Sequence, residues 1–187
     1  MKILAIGDVH GNFDDMVRLI ETFKPDLCLQ VGDLEPVRDE AALTQVACPE
    51  KYRRVKDFPA YCSGEKEFAV PIYFIAGNHE PYGYLEDYDD GFDGDPWLVP
   101  NLCYLGRWGL TEHAGLTIAF LSGNYSERDY TIPSAKRRGQ GEATGWRANK
   151  SLGHFRKDEV DGLINKCRGR KIDILLTHEW PAGLIDR

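Results

Sequence analysis

The sequence predicts an α/β fold with its functional site at the carboxyl ends of the strands, and three observations carry that prediction. Short apolar runs recur along the chain at residues 2–6, 26–31, 71–76 and 172–176, as buried strands do. Each run closes on a glycine or a threonine. Each then delivers oxygen or nitrogen donors: Gly7-Asp8-Val9-His10-Gly11, Gly32-Asp33, Gly77-Asn78-His79-Glu80 and Thr177-His178-Glu179. That is where α/β sheets place their sites. One such end would mean little, but four in order exceed coincidence.

The elements between these strands follow from local pattern. Residues 12–23 read as an amphipathic helix: Asn12 can cap it, Asp14 and Asp15 occupy its positive first turn, and Met16, Val17, Ile20 and Phe23 form an apolar stripe. Pro25 restarts the chain toward the second strand. Residues 36–47 read as a helix with Pro36 in its first turn. Residues 49–68 are polar and aromatic and suit short helical turns. Six acidic residues fall between 86 and 95, without the spacing of a helix–loop–helix calcium site, and read as a solvated loop. Residues 102–121 alternate around Ala114-Gly115 as a hairpin would. Residues 124–150 carry no periodicity and read as a long loop. Residues 155–166 form a last helix with Phe155, Val160, Leu163 and Ile164 as its apolar face.

A chain of 187 residues, 42% hydrophobic and 28% charged, fits one globular domain with a real core. No run approaches the length of a membrane span and no signal peptide precedes the first strand, so no membrane partner is expected. Five cysteines, odd in number and without metal-type spacing, read as reduced thiols, which points to a cytoplasmic location, or a nuclear one in a eukaryote. A net charge of −7 argues against indiscriminate binding to nucleic acid.

Asp8, His10, Asp33, Asn78 and His178 are hard or borderline ligands with no thiolate among them, a set suited to manganese, iron or zinc. A short carboxylate such as Asp33 can bridge two cations about 3.5–4 Å apart, the spacing of two-metal hydrolases. Asn78 adds an oxygen without another negative charge. In an extended Asn78-His79 pair the His79 side chain points the other way, which makes it a candidate acid for a leaving alkoxide. His113 and His154 lie in no such constellation and read as ordinary solvated or core histidines.

These blocks resemble the signature of the calcineurin-like metallophosphoesterases: Gly-Asp-x-His, Gly-Asp, Gly-Asn-His-Glu/Asp and a later His, here at 7–10, 32–33, 77–80 and 178. More narrowly, the chain is similar to the RNA lariat debranching enzymes. That similarity lies in Val37-Arg38-Asp39-Glu40-Ala41-Ala42-Leu43, Lys51-Tyr52-Arg53, Tyr61-Cys62-Ser63-Gly64-Glu65-Lys66, Trp97-Leu98-Val99-Pro100-Asn101, Tyr104-Leu105-Gly106 and Thr177-His178-Glu179-Trp180-Pro181. The resemblance implies two packed mixed sheets flanked by helices in a four-layer sandwich. It also implies two divalent metal ions, one held by Asp8, His10 and Asp33, the other by Asp33, Asn78 and His178, with His79 assisting catalysis. Asp8 stands where many eukaryotic debranching enzymes carry cysteine. The family's closing Gly-His-x-His does not occur in this sequence, from which a C-terminally truncated domain or a degenerate scaffold is expected.

The stretch 124–150 reverses the sign of its surroundings. Arg128, Lys136, Arg137, Arg138, Arg147 and Lys150 outnumber Glu127, Asp129 and Glu142, with Tyr125, Tyr130 and Trp146 among them. In debranching enzymes the similarly placed loop recognises branched RNA, so Lys136, Arg137, Arg138 and Arg147 are expected to grip a polyanion. The leading expectation is a dinuclear phosphodiesterase acting on a nucleic-acid or nucleotide substrate, RNA included. A phosphomonoesterase such as a protein phosphatase shares the metal blocks, but follows the second with Val-Asp-Arg-Gly, where Leu34-Glu35-Pro36-Val37 stands here. A non-catalytic binding module is the third alternative.

Overall fold

Strand β1 (Ile3–Ile6) pairs in parallel with β2 (Leu27–Gln30), β2 with β3 (Ile72–Phe74), and β3 with β5 (Leu102–Tyr104). The edge strand β4 (Trp97–Val99) runs antiparallel to β5, giving the order β1-β2-β3-β5-β4. This is a computed structural model, and it describes residues 1–86, 97–136 and 146–181, with backbone alone at 146–148. A second sheet has the order β6-β7-β8. In it β6 (Trp108–His113) and β7 (Leu116–Leu121) form the expected hairpin, and β8 (Ile174–Thr177) joins β7 in parallel. Both sheets are therefore mixed, as the resemblance implies. The positive φ of Ala114 and Gly115 closes the hairpin turn.

The alternation of side chains along β2 shows how the layers stack. Leu27 and Leu29 pack with Ile75, Ile118, Phe120 and Leu176, so this face fills the space between the two sheets. Cys28, one residue out of phase, joins the other core with Phe13, Met16 and Ile20 of α1 (Phe13–Phe23) and with Phe58 and Tyr61 of α3 (Phe58–Cys62). On the far side α7 (Lys157–Cys167) covers the second sheet. A Cβ on Gly162 would lie 2.4 Å from the Trp108 ring, so the helix can approach only because that residue is glycine. The result is helix, sheet, sheet, helix.

Several sequence expectations need correction, beginning with α1, where the Asn12 side chain makes no cap bond and Phe23 is 50% exposed. The helix expected at 36–47 is one turn, α2 (Glu40–Leu43), capped by the Asp39 carboxylate accepting from Ala42 N at 2.8 Å. Pro36 and Val37 instead form a turn in which Val37 N bonds Glu35 O. Beyond α4 (Tyr82–Leu85), the stretch 124–150 is not featureless: it contains α5 (Glu127–Tyr130), a 3₁₀ turn at Ser134–Lys136 and the start of α6 (Trp146–Leu152). Ile164 was placed on the buried face of the last helix, but it is 52% exposed, and Glu159 and Leu163 are the buried pair. Most of the acidic stretch at 86–95 lies outside the described residues, as do Arg137 and Arg138. No helix among the described residues is long and apolar enough to cross a membrane.

Candidate metal centre

Because β1, β2 and β3 are parallel, their carboxyl ends share one edge of the first sheet, and β8 brings His178 to the same edge from the second. The stitch is direct: the His178 Nδ1–H donates to the Val31 carbonyl at 2.9 Å. Gly32 makes that approach possible. It sits at φ +99°, and a Cβ there would lie 2.6 Å from His178 Nδ1 and 2.8 Å from Gly77 Cα. Gln30, fully buried, clasps Gly32 from both sides, accepting from its N–H at 3.0 Å and donating to its carbonyl at 2.6 Å.

Asp33 stands at the middle of the site, 4% exposed and at φ +52°. Its two carboxylate oxygens face opposite ways. Oδ2 lies 3.8 Å from His10 Nε2, and Asp8, His10 and Asp33 offer donor atoms all within 4.8 Å of one another. Oδ1 lies 3.6 Å from His178 Nε2, which is itself 3.4 Å from Asn78 Oδ1. Asp33 Oδ1 also accepts from His79 N at 2.8 Å, pinning the Asn78-His79 loop to the second strand's end. The structure thus brings together all five residues that the sequence nominated, with His79 adjoining them.

The donor chemistry of this arrangement fits cations. With His178 Nδ1–H donated to Val31, a neutral ring presents its Nε2 lone pair toward Asn78 Oδ1 and Asp33 Oδ1. On the other side His10 directs its Nδ1–H to Glu35 Oε1 at 2.7 Å, so that a neutral ring turns its Nε2 lone pair toward Asp33 Oδ2. The Glu35 hydrogen bond, resisted by desolvation and helped by the charges of Glu35, Asp33 and Asp8, raises the His10 pKa. Lone pairs converging in this way are stabilised by positive charge at their centre.

Two carboxylates went unrecognised in the sequence. Glu80 is fully buried, and its oxygens accept from Leu34 N at 2.8 Å, Glu35 N at 2.9 Å and Gly77 N at 3.3 Å. Burial first, then the charge of Asp33, pushes its pKa well up, while the three N–H donors act in the opposite sense. Glu80 therefore fixes the two ligand-bearing loops against each other. Glu35 lies between His10 and His79, with Oε1 3.7 Å from His79 Nδ1. The fourth residue of Gly77-Asn78-His79-Glu80 was a signal for Glu80; nothing in the pattern pointed to Glu35.

Tyr125, at the start of the basic stretch, and Gly153, just past its end, adjoin this centre. The backbone of Gly153 abuts Asn78, a Cβ on the glycine lying 3.2 Å from Asn78 Cα, and Tyr125 N donates to Glu179 Oε2 at 2.6 Å beside His178. Tyr125, half-exposed at 51%, forms a cluster with Tyr130 and Phe155 at ring-centroid distances of 5.3 and 6.3 Å. Lys136 is exposed, and Arg147 is placed by its backbone in α6. His154 is a buried histidine hydrogen-bonded through Nδ1 to Asp129 at 2.7 Å, and His113 meets the Tyr73 hydroxyl at 3.0 Å, so both have structural partners.

Parallel strands ending in Asp-x-His, Asp and Asn-His, completed by a histidine from a second sheet, gather oxygen and nitrogen donors of the kind that hold divalent cations. The sequence profile of the calcineurin-like phosphoesterases matches residues 1–184, and the chain belongs to that family. The family implies divalent metal ions. Among individual proteins the chain is similar to the lariat debranching enzyme of Arabidopsis thaliana, 35% identical over all of this chain and 44% of that protein. It is likewise similar to those of Schizosaccharomyces pombe, 34% identical over 98% of this chain and 38% of that protein, and Homo sapiens, 35% over 98% and 33%. The chain thus spans less than half the length of these relatives.

Proposed function

We propose that the chain carries the dinuclear metal centre of a phosphodiesterase that acts on RNA, with the 2′–5′ bond of a lariat as the bond cleaved. The observation that supports it most is the divided carboxylate of Asp33, with one oxygen toward His10 and the other toward Asn78 and His178. Asp8, His10 and Asp33 would hold one ion and Asp33, Asn78 and His178 the other, manganese, iron or zinc by their ligand types. Ions held there supply an activated hydrolytic water and positive charge for the phosphate.

The chain's own residues supply the rest. His79 is held by its backbone on Asp33 with its ring beside His10, centroids 5.4 Å apart and edge-on, where it can give a proton to the departing oxygen. Tyr125, Tyr130 and Phe155 offer rings to unpaired bases, and Lys136 with its neighbours Arg137 and Arg138 and with Arg147 offers charge to phosphates. The relatives' names support lariat RNA over other diesters.

The test is turnover by the purified chain, supplied with Mn²⁺, of a 2′–5′ branched oligonucleotide, a linear one and a phosphomonoester. Preferential release of the branch is the expected result. Hydrolysis of the monoester alone would favour a phosphatase, and metal binding without turnover of any of the three would favour a binding module.

A further inference from the structure

Glu35 has no role in the motifs that define the site, yet its carboxylate lies between two of the site's histidines. Its side chain is 14% exposed, with Oε1 2.7 Å from His10 Nδ1 and 3.7 Å from His79 Nδ1. Those two rings stand nearly perpendicular, at 85°, so one oxygen meets the same nitrogen of each. The first distance settles what the contact is. Two ligands each about 2.0–2.2 Å from a shared ion sit roughly 3 Å or more apart. At 2.7 Å Glu35 instead accepts the His10 Nδ1 proton, and Nε2 is turned toward Asp8 and Asp33.

The backbone around Glu35 is built to keep it there. Glu35 adopts φ +53°, a left-handed conformation that L residues rarely occupy and that persists only where surroundings enforce it. The enforcement is visible: Glu80 Oε2 takes Glu35 N at 2.9 Å, and Val37 N closes a turn on Glu35 O at 2.8 Å. An unconstrained glutamate two residues past Asp33 would point to water.

We infer that Glu35 is a positioning residue shared by His10 and His79, orienting the first toward the metal-holding carboxylates and coupling the second to it. A carboxylate behind a histidine ligand fixes its tautomer and raises its basicity, and losing one typically weakens metal binding by about 10–100-fold. The His10 half of this inference stands on geometry alone; the His79 half rests on the phosphodiesterase reading.

The experiment separates them. Mn²⁺ affinity and stoichiometry are measured by calorimetry, without substrate, for the whole chain and for Glu35→Gln and Glu35→Ala. Glu35→Ala should weaken one of two ions by about 10–100-fold. Glu35→Gln, nearly the same shape and still an acceptor, should recover part of that loss. If both variants bind two ions with unchanged affinity, His10 needs no carboxylate behind it and the inference is overturned. Turnover of an alkyl and a nitrophenyl diester then probes His79. Glu35→Ala should slow the alkyl ester more, and should add little once His79→Ala is present, because coupled residues are not additive. Independent, multiplying losses would overturn the coupling. A wild-type chain that binds metal but cleaves no diester would sink the phosphodiesterase reading while leaving the calorimetric result on His10 intact.

Discussion

Neutralising Asp129 should loosen the segment that flanks the metal centre. The residue is 2% exposed, and its carboxylate accepts from Arg128 Nε at 2.8 Å and Nη2 at 3.0 Å, Ser151 Oγ at 2.8 Å and His154 Nδ1 at 2.7 Å. It also lies 3.6 Å from the guanidinium of Arg156, which is 1% exposed. The Arg128 side chain is 70% exposed and rehydrates when released, so its pair counts for little. Burial lowers the His154 pKa, so that ring is a neutral donor, and what remains in Asp129→Asn is the loss of the negative charge facing buried Arg156, where breaking a pair costs about 3–5 kcal/mol. For a chain of 187 residues, at about 2–4 °C per kcal/mol, Tm should fall by roughly 6–20 °C. Differential scanning calorimetry of the wild type and the variant measures it. The pH dependence has a definite sign. Arg128, with help from His154 and Ser151 against desolvation, holds the Asp129 carboxyl well below the usual range. Its stabilisation is therefore complete above about pH 4 and is lost as pH falls through the depressed folded value, so the Tm gap should narrow in acid. A fall of less than about 2 °C at neutral pH, outside the range of about 2–4 °C per kcal/mol for a single broken interaction, or a gap that widens on acidification, refutes the reasoning.

Four further outcomes are expected. Asp33→Asn should lower metal stoichiometry, by elemental analysis, more than Asp8→Asn or Asn78→Ala, because Asp33 faces both donor clusters. His79→Ala should retain metal yet lose roughly 10²–10⁴-fold in turnover, less on a nitrophenyl ester that needs no proton. Gly32→Ala should cost at least about 1–3 kcal/mol in urea unfolding and displace His178, since φ +99° is strained for alanine and its Cβ would collide with the imidazole. Replacing Lys136, Arg137 and Arg138 together with alanine should raise KM for an RNA oligonucleotide and flatten its salt dependence, while a small chromogenic diester reacts as before.

The strands that carry the site were legible because their signal is local. Four apolar runs of about five residues are buried on both faces in the case of β2, and parallel strands of that kind need no alternation to be seen. The donors just past them could be placed on one edge by counting. The helix expected over 36–47 failed for the opposite reason. Its apolar residues, Val37, Ala42 and Val46, are all buried as a helical stripe would be, but they reach the core through turns held by Glu80 and Asp39. Burial pattern alone does not distinguish those two solutions. The 124–150 stretch hid its short helices because they are held by hydrogen bonds from elsewhere: α5 is tied through Asp129 to Ser151 and His154, more than twenty residues on.

The same contrast explains which site residues could be read and which could not. Asp8, His10, Asp33, Asn78 and His178 announce themselves as donor types following strands. Glu35 and Glu80 act through contacts that span 25 and 46 residues of sequence, from His10 Nδ1 to Glu35 and from Glu80 to Leu34 N. Their roles depend on backbone torsions that no composition encodes: Asp33 and Glu35 both lie at positive φ, with Leu34 between them, and their carboxylates meet His10 at different ring nitrogens, Asp33 at Nε2 and Glu35 at Nδ1. In an extended strand residues 33 and 35 would share one face. The left-handed torsions break that rule, and Glu80, by taking the N–H groups of both Leu34 and Glu35, is the group that holds them broken. Strain concentrated beside the donors, and a buried carboxylate that stabilises it, is what a preorganised site requires, since ligands already in place lose little freedom when charge arrives.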